Sequence, residues 1–132
     1  MSNKYVIEPR DDIIVKGPCA AVAYARRLNG RRPAHDYIEK LEKEKQAKLA
    51  KRFTTIAKTG QIWNEEQFKK LGGKSGRIYE FKVHPKVRVP CFQLGRTWFL
   101  THGFDKEKGK TPPTEIERAE QIMKEHLSQV RE

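Results

Sequence analysis

Two basic side chains and a histidine between residues 77 and 113 have the right types to act on a phosphodiester. Lys82 and Arg88 lie in two successive β-like runs, and His102 closes a third. A lysine holds a phosphate as a point charge, and an arginine can grip it with a planar fork. Arg88 reads as a phosphate clamp; the alternatives are a surface strand arginine or one paired with Glu80 across the hairpin. Lys82 shares the phosphate reading, against that of a solvated strand lysine. With an ordinary pKa of about 6.5, His102 can serve as general acid or base. It can equally be a structural histidine bonded to a loop carbonyl. Arg96, Lys106, Lys108 and Lys110 can grip a nucleic-acid backbone, and the plain alternative for the three lysines is a solvated loop. Glu80 can act as a base or bridge to a neighbouring cation. Trp63, Trp98 and Phe104 can stack on bases or belong to the core. His35, His84 and His126 share no metal-ligand spacing, so no metal site and no cofactor are expected.

The elements that must carry these residues follow from periodicity. Tyr79, Phe81 and Val83 alternate with Ile78, Glu80 and Lys82, as in a strand with two faces. His84-Pro85-Lys86 turns the chain into a second strand, Val87–Leu94. Gly95-Arg96 is a tight hairpin turn, and residues 97–101 (TWFLT) form a near-continuous apolar run suited to a central strand. Thr111-Pro112-Pro113 opens the last helix, with Thr111 as N-cap and Pro112 at the first position. Its apolar stripe is Ile116, Ala119, Ile122, Met123, Leu127 and Val130.

Upstream, residues 19–27 (CAAVAYARR) read as a strand with Val22 and Tyr24 on one face, and Asn29-Gly30 as a turn. Residues 33–58 are helical in pattern, with a wholly polar middle. That is either one bent helix or two with a joint near Lys43, stopped at Thr59-Gly60. Residues 61–76 read as a connection pinned by Ile62, Trp63, Phe68 and Leu71. Residues 1–17 hold two short β-like runs (Tyr5-Val6-Ile7 and Ile13-Ile14-Val15), an edge hairpin or a loose arm. The expectation is an α+β layer fold: a strand, one or two helices, three antiparallel strands joined by hairpins, then a helix.

Composition narrows the function class. The chain has 132 residues, 36% of them apolar and 34% charged, with a net charge of +11. That length suits one domain. Residues 69–110 carry +8 of the charge, residues 1–68 carry +5 and residues 111–132 carry −2. A basic sheet suits a polyanion or an acidic partner. There is no run of spanning length and no signal-peptide core, so a cytoplasmic protein without membrane contact is expected. Cys19 and Cys91 form neither a disulfide framework nor a metal motif.

The run from Tyr79 to Ala119 resembles the HigB-like, phage-derived branch of the RelE/ParE toxin superfamily. The resemblance is carried by Tyr79-Glu80-Phe81-Lys82, Val87-Arg88-Val89, Gly95-Arg96 and Phe99-Leu100-Thr101-His102-Gly103-Phe104. The block Lys106, Lys108, Lys110-Thr111-Pro112 and Glu115-Ile116-Glu117-Arg118-Ala119 completes it. It spans roughly residues 18–130 and leaves 1–17 as an N-terminal extension to a toxin domain of residues 18–132. It implies a RelE-like fold, a small antiparallel sheet packed against N-terminal helices with a C-terminal helix. It also implies a ribosome-dependent mRNA endoribonuclease, the toxin of a type II toxin–antitoxin pair, with a helix-turn-helix antitoxin as partner. The implied chemistry needs no metal: a 2′-hydroxyl attacks the adjacent phosphate while the site moves protons and neutralises the phosphorane. Arg88, Lys82 and His102 are then catalytic, and Lys106, Lys108, Lys110 and Arg96 bind RNA. A non-catalytic binder of RNA, DNA or an acidic protein, and a gyrase-directed toxin, are the alternatives. Lys82 stands where the family commonly has arginine, and Pro90-Cys91 where it commonly has aromatics. Because Pro90 has no N–H, its strand is expected to be broken or bulged there.

Overall fold

The computed structural model describes residues 12–107 and 109–130; Lys108 and the run Tyr5-Val6-Ile7 lie outside them. The chain is α+β. In order it forms β1 (Ile13–Lys16), β2 (Ala21–Tyr24), α1 (Pro33–Glu39), α2 (Lys43–Thr59), β3 (Phe68–Gly72) and β4 (Ile78–Val83). Then follow β5 (Val87–Leu94), β6 (Thr97–Leu100), β7 (Phe104–Asp105) and α3 (Pro113–Gln129). The strands make one sheet in the order β1-β2-β6-β5-β4-β3, with β7 paired to β5 beyond the end of β6.

The sheet is mixed rather than antiparallel throughout, because β2 runs parallel to β6. All of α1, α2 and β3–β5 lies between those two strands, so no tight turn forces them to oppose. Residues 61–76 are not only a connection: five of them form β3, the edge strand beside β4. Lys69-Lys70 in mid-strand hides the alternation that marks a strand. Residues 12–16 are built in as well. β1 pairs antiparallel with β2, and the buried Asp12 accepts two hydrogen bonds from Arg26, at 2.7 and 3.0 Å. Replacing Asp12 with alanine should lower stability by about 1–3 kcal/mol, since it removes the buried carboxylate to which Arg26 donates a charge-assisted pair. Urea unfolding of the two proteins measures it, and an unchanged midpoint contradicts the anchoring role.

Helices cover both faces. On one, α1 and α2 bring Ile38, Leu49, Phe53 and Ile56 onto Val22, Phe81, Val83, Val89 and Leu100. On the other, α3 lays Ala119, Ile122 and Met123 on Ala23, Ile78, Phe92 and Phe99. The polar middle of the helical stretch is a break: α1 ends at Glu39 and α2 begins at Lys43. Gln46 Nε2 closes the joint by donating to the carbonyl of Ile38 at 2.7 Å. Trp98 is core, as its alternative reading had it, whereas Trp63 is 83% exposed and pins nothing. No helix among the described residues is long and apolar enough to cross a membrane.

β5 is continuous through Pro90; the break falls in its neighbour. Pro90 accepts two bonds from Thr101, backbone N–H at 2.9 Å and hydroxyl at 3.1 Å. Its missing donor would point to that same side. There the chain leaves β6, runs through Thr101-His102-Gly103 and rejoins β5 as β7, with Phe104 opposite Arg88.

Candidate functional site

Strand alternation selects the residues that share a face. In β4, Phe81 and Val83 point to the α1–α2 core, so Ile78, Glu80 and Lys82 point the other way. In β5, Arg88, Pro90 and Phe92 share that side. α3 covers its Ile78–Phe92 end. The other end holds Glu80, Lys82 and Arg88, bordered by the segment that leads from β7 into α3. The register sets Lys82 opposite Arg88, Glu80 opposite Pro90 and Lys69 opposite Glu80. Lys106, just past β7, exerts its field on both Glu80 and Lys82.

Glu80 is the centre of this group. Its residue is only 1% exposed, and Thr111 Oγ1 donates to its Oε1 at 2.8 Å. Burial raises its pKa above the ordinary carboxylate value, against the opposing pull of Thr111, Arg88, Lys82 and Lys106. Burial likewise lowers the pKa of Lys82, a half-buried side chain crowded by Arg88, Lys69 and Lys106 but supported by Glu80. Thr111 is therefore not the N-cap of α3. Pro112 holds that place, Pro113 opens the helix, and no side chain caps it; the threonine hydroxyl serves the buried carboxylate instead.

Arg88 is placed differently from either structural alternative. It is 3% exposed, neither a surface arginine nor opposite Glu80. Its Nη1 donates to the Val87 carbonyl at 2.8 Å and its Nη2 reaches the Pro85 carbonyl at 3.5 Å. Its Nε is buried with no hydrogen-bond partner. The guanidinium thus lies beneath the face as a fixed positive charge.

His102 is also buried. Its Nε2 lies 3.0 Å from Glu115 Oε1 on α3, and its Nδ1 lies 3.0 Å from Thr101 Oγ1. Burial pulls its pKa down to about 4 despite the carboxylate. A neutral imidazole that donates from Nε2 to Glu115 leaves Nδ1 to accept from Thr101, whose one hydroxyl proton is then shared with the Pro90 carbonyl. Its partners are side chains, not the loop carbonyl expected. The intervening Gly103 packs face-on to the ring of Tyr37, where a Cβ would overlap it. Tyr37 Oη donates to Asp105 Oδ1 at 2.7 Å and lies 3.2 Å from the Phe104 carbonyl. The α1 helix is thereby fastened to the strand edge beside Arg88.

The remaining basic residues divide by position. Lys106 belongs to the cluster, and the exposed Lys110 precedes Thr111 at its rim. Arg96 does not join them. It sits in the turn after Leu94, roughly 25 Å along the strand from Arg88 at ~3.3 Å per residue. Lys69 and Thr111 were missed as site residues, one read as part of a connection and the other as a cap.

Residues 36–124 match the family model described as Phage derived protein Gp49-like (DUF891). The chain belongs to this family. Gp49-like proteins are a RelE/ParE-like toxin family. The match runs from α1 to most of α3 and includes every residue of the cluster around Glu80. No curated protein matches the chain. In this Gp49-like chain the face offers exposed or half-exposed lysines at 69, 82, 106 and 110 over a buried arginine and a buried glutamate. Such a layer suits a phosphate-bearing partner.

Proposed function

We propose that the chain is the HigB-like toxin of a type II toxin–antitoxin pair, with a RelE-like domain over residues 18–132. It acts in the cytoplasm as a ribosome-dependent mRNA endoribonuclease, and a helix-turn-helix antitoxin is its partner. The carrying observation is the convergence of Lys69, Lys82, Arg88 and Lys106 around Glu80 on one face of a chain in a RelE/ParE-like toxin family. In this reading the exposed lysines hold the RNA backbone. Lys82 and Arg88 neutralise charge on the phosphate during 2′-hydroxyl attack. His102 supports the reaction from the edge of the face, through its contact with the start of α3.

The test is inducible expression with and without the neighbouring antitoxin gene, with mapping of mRNA 5′ ends. The wild type should arrest growth and cut translated messages, with rescue by the antitoxin. The half-exposed pair Lys82→Ala with Lys106→Ala should abolish arrest, while the purified variant keeps its fold. Its RNA affinity should fall with a salt slope lower by about 2. A wild type that arrests nothing and cuts no message defeats the enzyme reading. The bonds already made by Arg88 and His102 favour one second reading, a basic binder of the same fold without catalysis. It gives the same salt-sensitive RNA binding and no cleavage.

A further inference from the structure

A buried carboxylate at the centre of a basic face is an expensive choice for a strand position. Apolar residues fill the same side of the sheet at Ile78 and Phe92, and burying a charge is costly unless it is compensated. Glu80 is compensated unusually. Its hydrogen-bond partner among the described residues is one hydroxyl, Thr111, and no cation stands within ion-pair distance of it there. Positive groups face it instead from β3, β4, β5 and the stretch after β7. Lys69 stands opposite on β3 and Lys82 two residues along on β4. Arg88 lies diagonally across on β5, roughly 7 Å away by sheet geometry. Lys106 approaches from beyond β7. The carboxylate is their shared counter-charge.

We propose that Glu80 is a built-in stand-in for a phosphate: an RNA phosphate entering this face takes over its cations, and binding draws a proton onto Glu80. This rests on the reading of the face as RNA-directed. The exposed lysines meet the phosphate first. The added negative charge then repels the carboxylate beneath them, which already lies closer to its neutral form than an ordinary glutamate. Protonation removes the repulsion. It also leaves a carboxyl oxygen to accept from Thr111, so the segment before α3 stays in place. RNA affinity should therefore rise as pH falls, by a route that belongs to this residue.

The probe is a 5′-fluorescein single-stranded RNA oligonucleotide, followed by anisotropy at low salt from pH 5.5 to 8 without ribosomes. The wild type should bind several-fold tighter at the acidic end. Glu80→Gln keeps the shape and an acceptor for Thr111 but has no charge. It should bind about 10-fold tighter than wild type at pH 8 and lose most of the pH dependence. Equal affinity and equal slope in the two proteins overturn the proposal, as does an oligonucleotide that does not bind. If Glu80→Gln fails to fold, calorimetry of the wild type in buffers of different ionisation enthalpy decides. Net proton uptake on binding supports the proposal and its absence overturns it. Proton-coupled binding by a chain that arrests no growth upholds this inference while defeating the ribonuclease reading. Cleavage without proton uptake does the reverse.

Discussion

Replacing Gly103 with alanine should cost about 3 kcal/mol, at the upper end of what overpacking a filled site usually costs. The added Cβ would fall inside the Tyr37 ring. That ring cannot swing aside freely, because its hydroxyl is bonded to Asp105 and to the Phe104 carbonyl. The strain would push α1 away from β7, the short strand that runs beside Arg88. Thermal unfolding by circular dichroism should show a drop of roughly 10 °C in Tm. A double-mutant cycle identifies the cause. In a Tyr37→Ala background the ring is gone, and Gly103→Ala should cost much less than it does alone. A full, additive cost in that background contradicts the packing account.

The second large effect is acid lability above the ordinary carboxylate range. Two histidines are buried in the neutral form: His102, and His126 on α3, each with its pKa lowered by burial to about 4. His126 Nδ1 accepts the backbone N–H of Arg26 at 3.0 Å, a bond its protonated ring cannot accept. The unfolded chain binds these protons near pH 6.5 and the folded chain only near 4. Between those values the unfolded state holds more protons, so stability falls as pH falls. The effect is roughly 3 kcal/mol for His126 at about pH 4, and His102, paired with Glu115, acts in the same sense. Glu80 acts in the opposite sense, because a raised carboxyl pKa favours the folded state as it protonates. Glu125 has its pKa held down to about 2, chiefly by the hydrogen bond from Arg27, and adds its own loss only below the ordinary carboxylate value. Urea unfolding between pH 7.5 and 4 should show the midpoint declining from about pH 6.5. His126→Phe should flatten part of that decline. A midpoint that holds level to pH 5 contradicts the assignment.

Much of the architecture is local and was therefore legible. Alternation in residues 78–83 located β4, the turns at His84-Pro85-Lys86 and Gly95-Arg96 bounded β5, and the apolar stripe from Ile116 to Met123 located α3. The alternative of two helices with a joint near Lys43 was the one realised, since a polar middle leaves nothing to bury. The parallel pairing of β2 with β6 was not legible. It depends on which strand edge remains open after a crossover of more than 70 residues. β3 was hidden by its paired lysines, and β7 by its two-residue length.

The opening set of Lys82, Arg88 and His102 shows where the two levels part. By itself the sequence determined that Lys82 and Arg88 lie on successive strands of a basic sheet and that His102 ends a third. Alternation and turn signals act over a few residues, and charge can be counted. Burial cannot be counted in that way. Arg88 and His102 became buried groups, and Glu80 became the centre of the face, because β7 returns to β5, Thr111 to β4 and the start of α3 to His102 across separations of 13 to 31 residues. Only the tertiary structure decided which cations share one carboxylate and which, like Arg96, stand at the far end of the sheet.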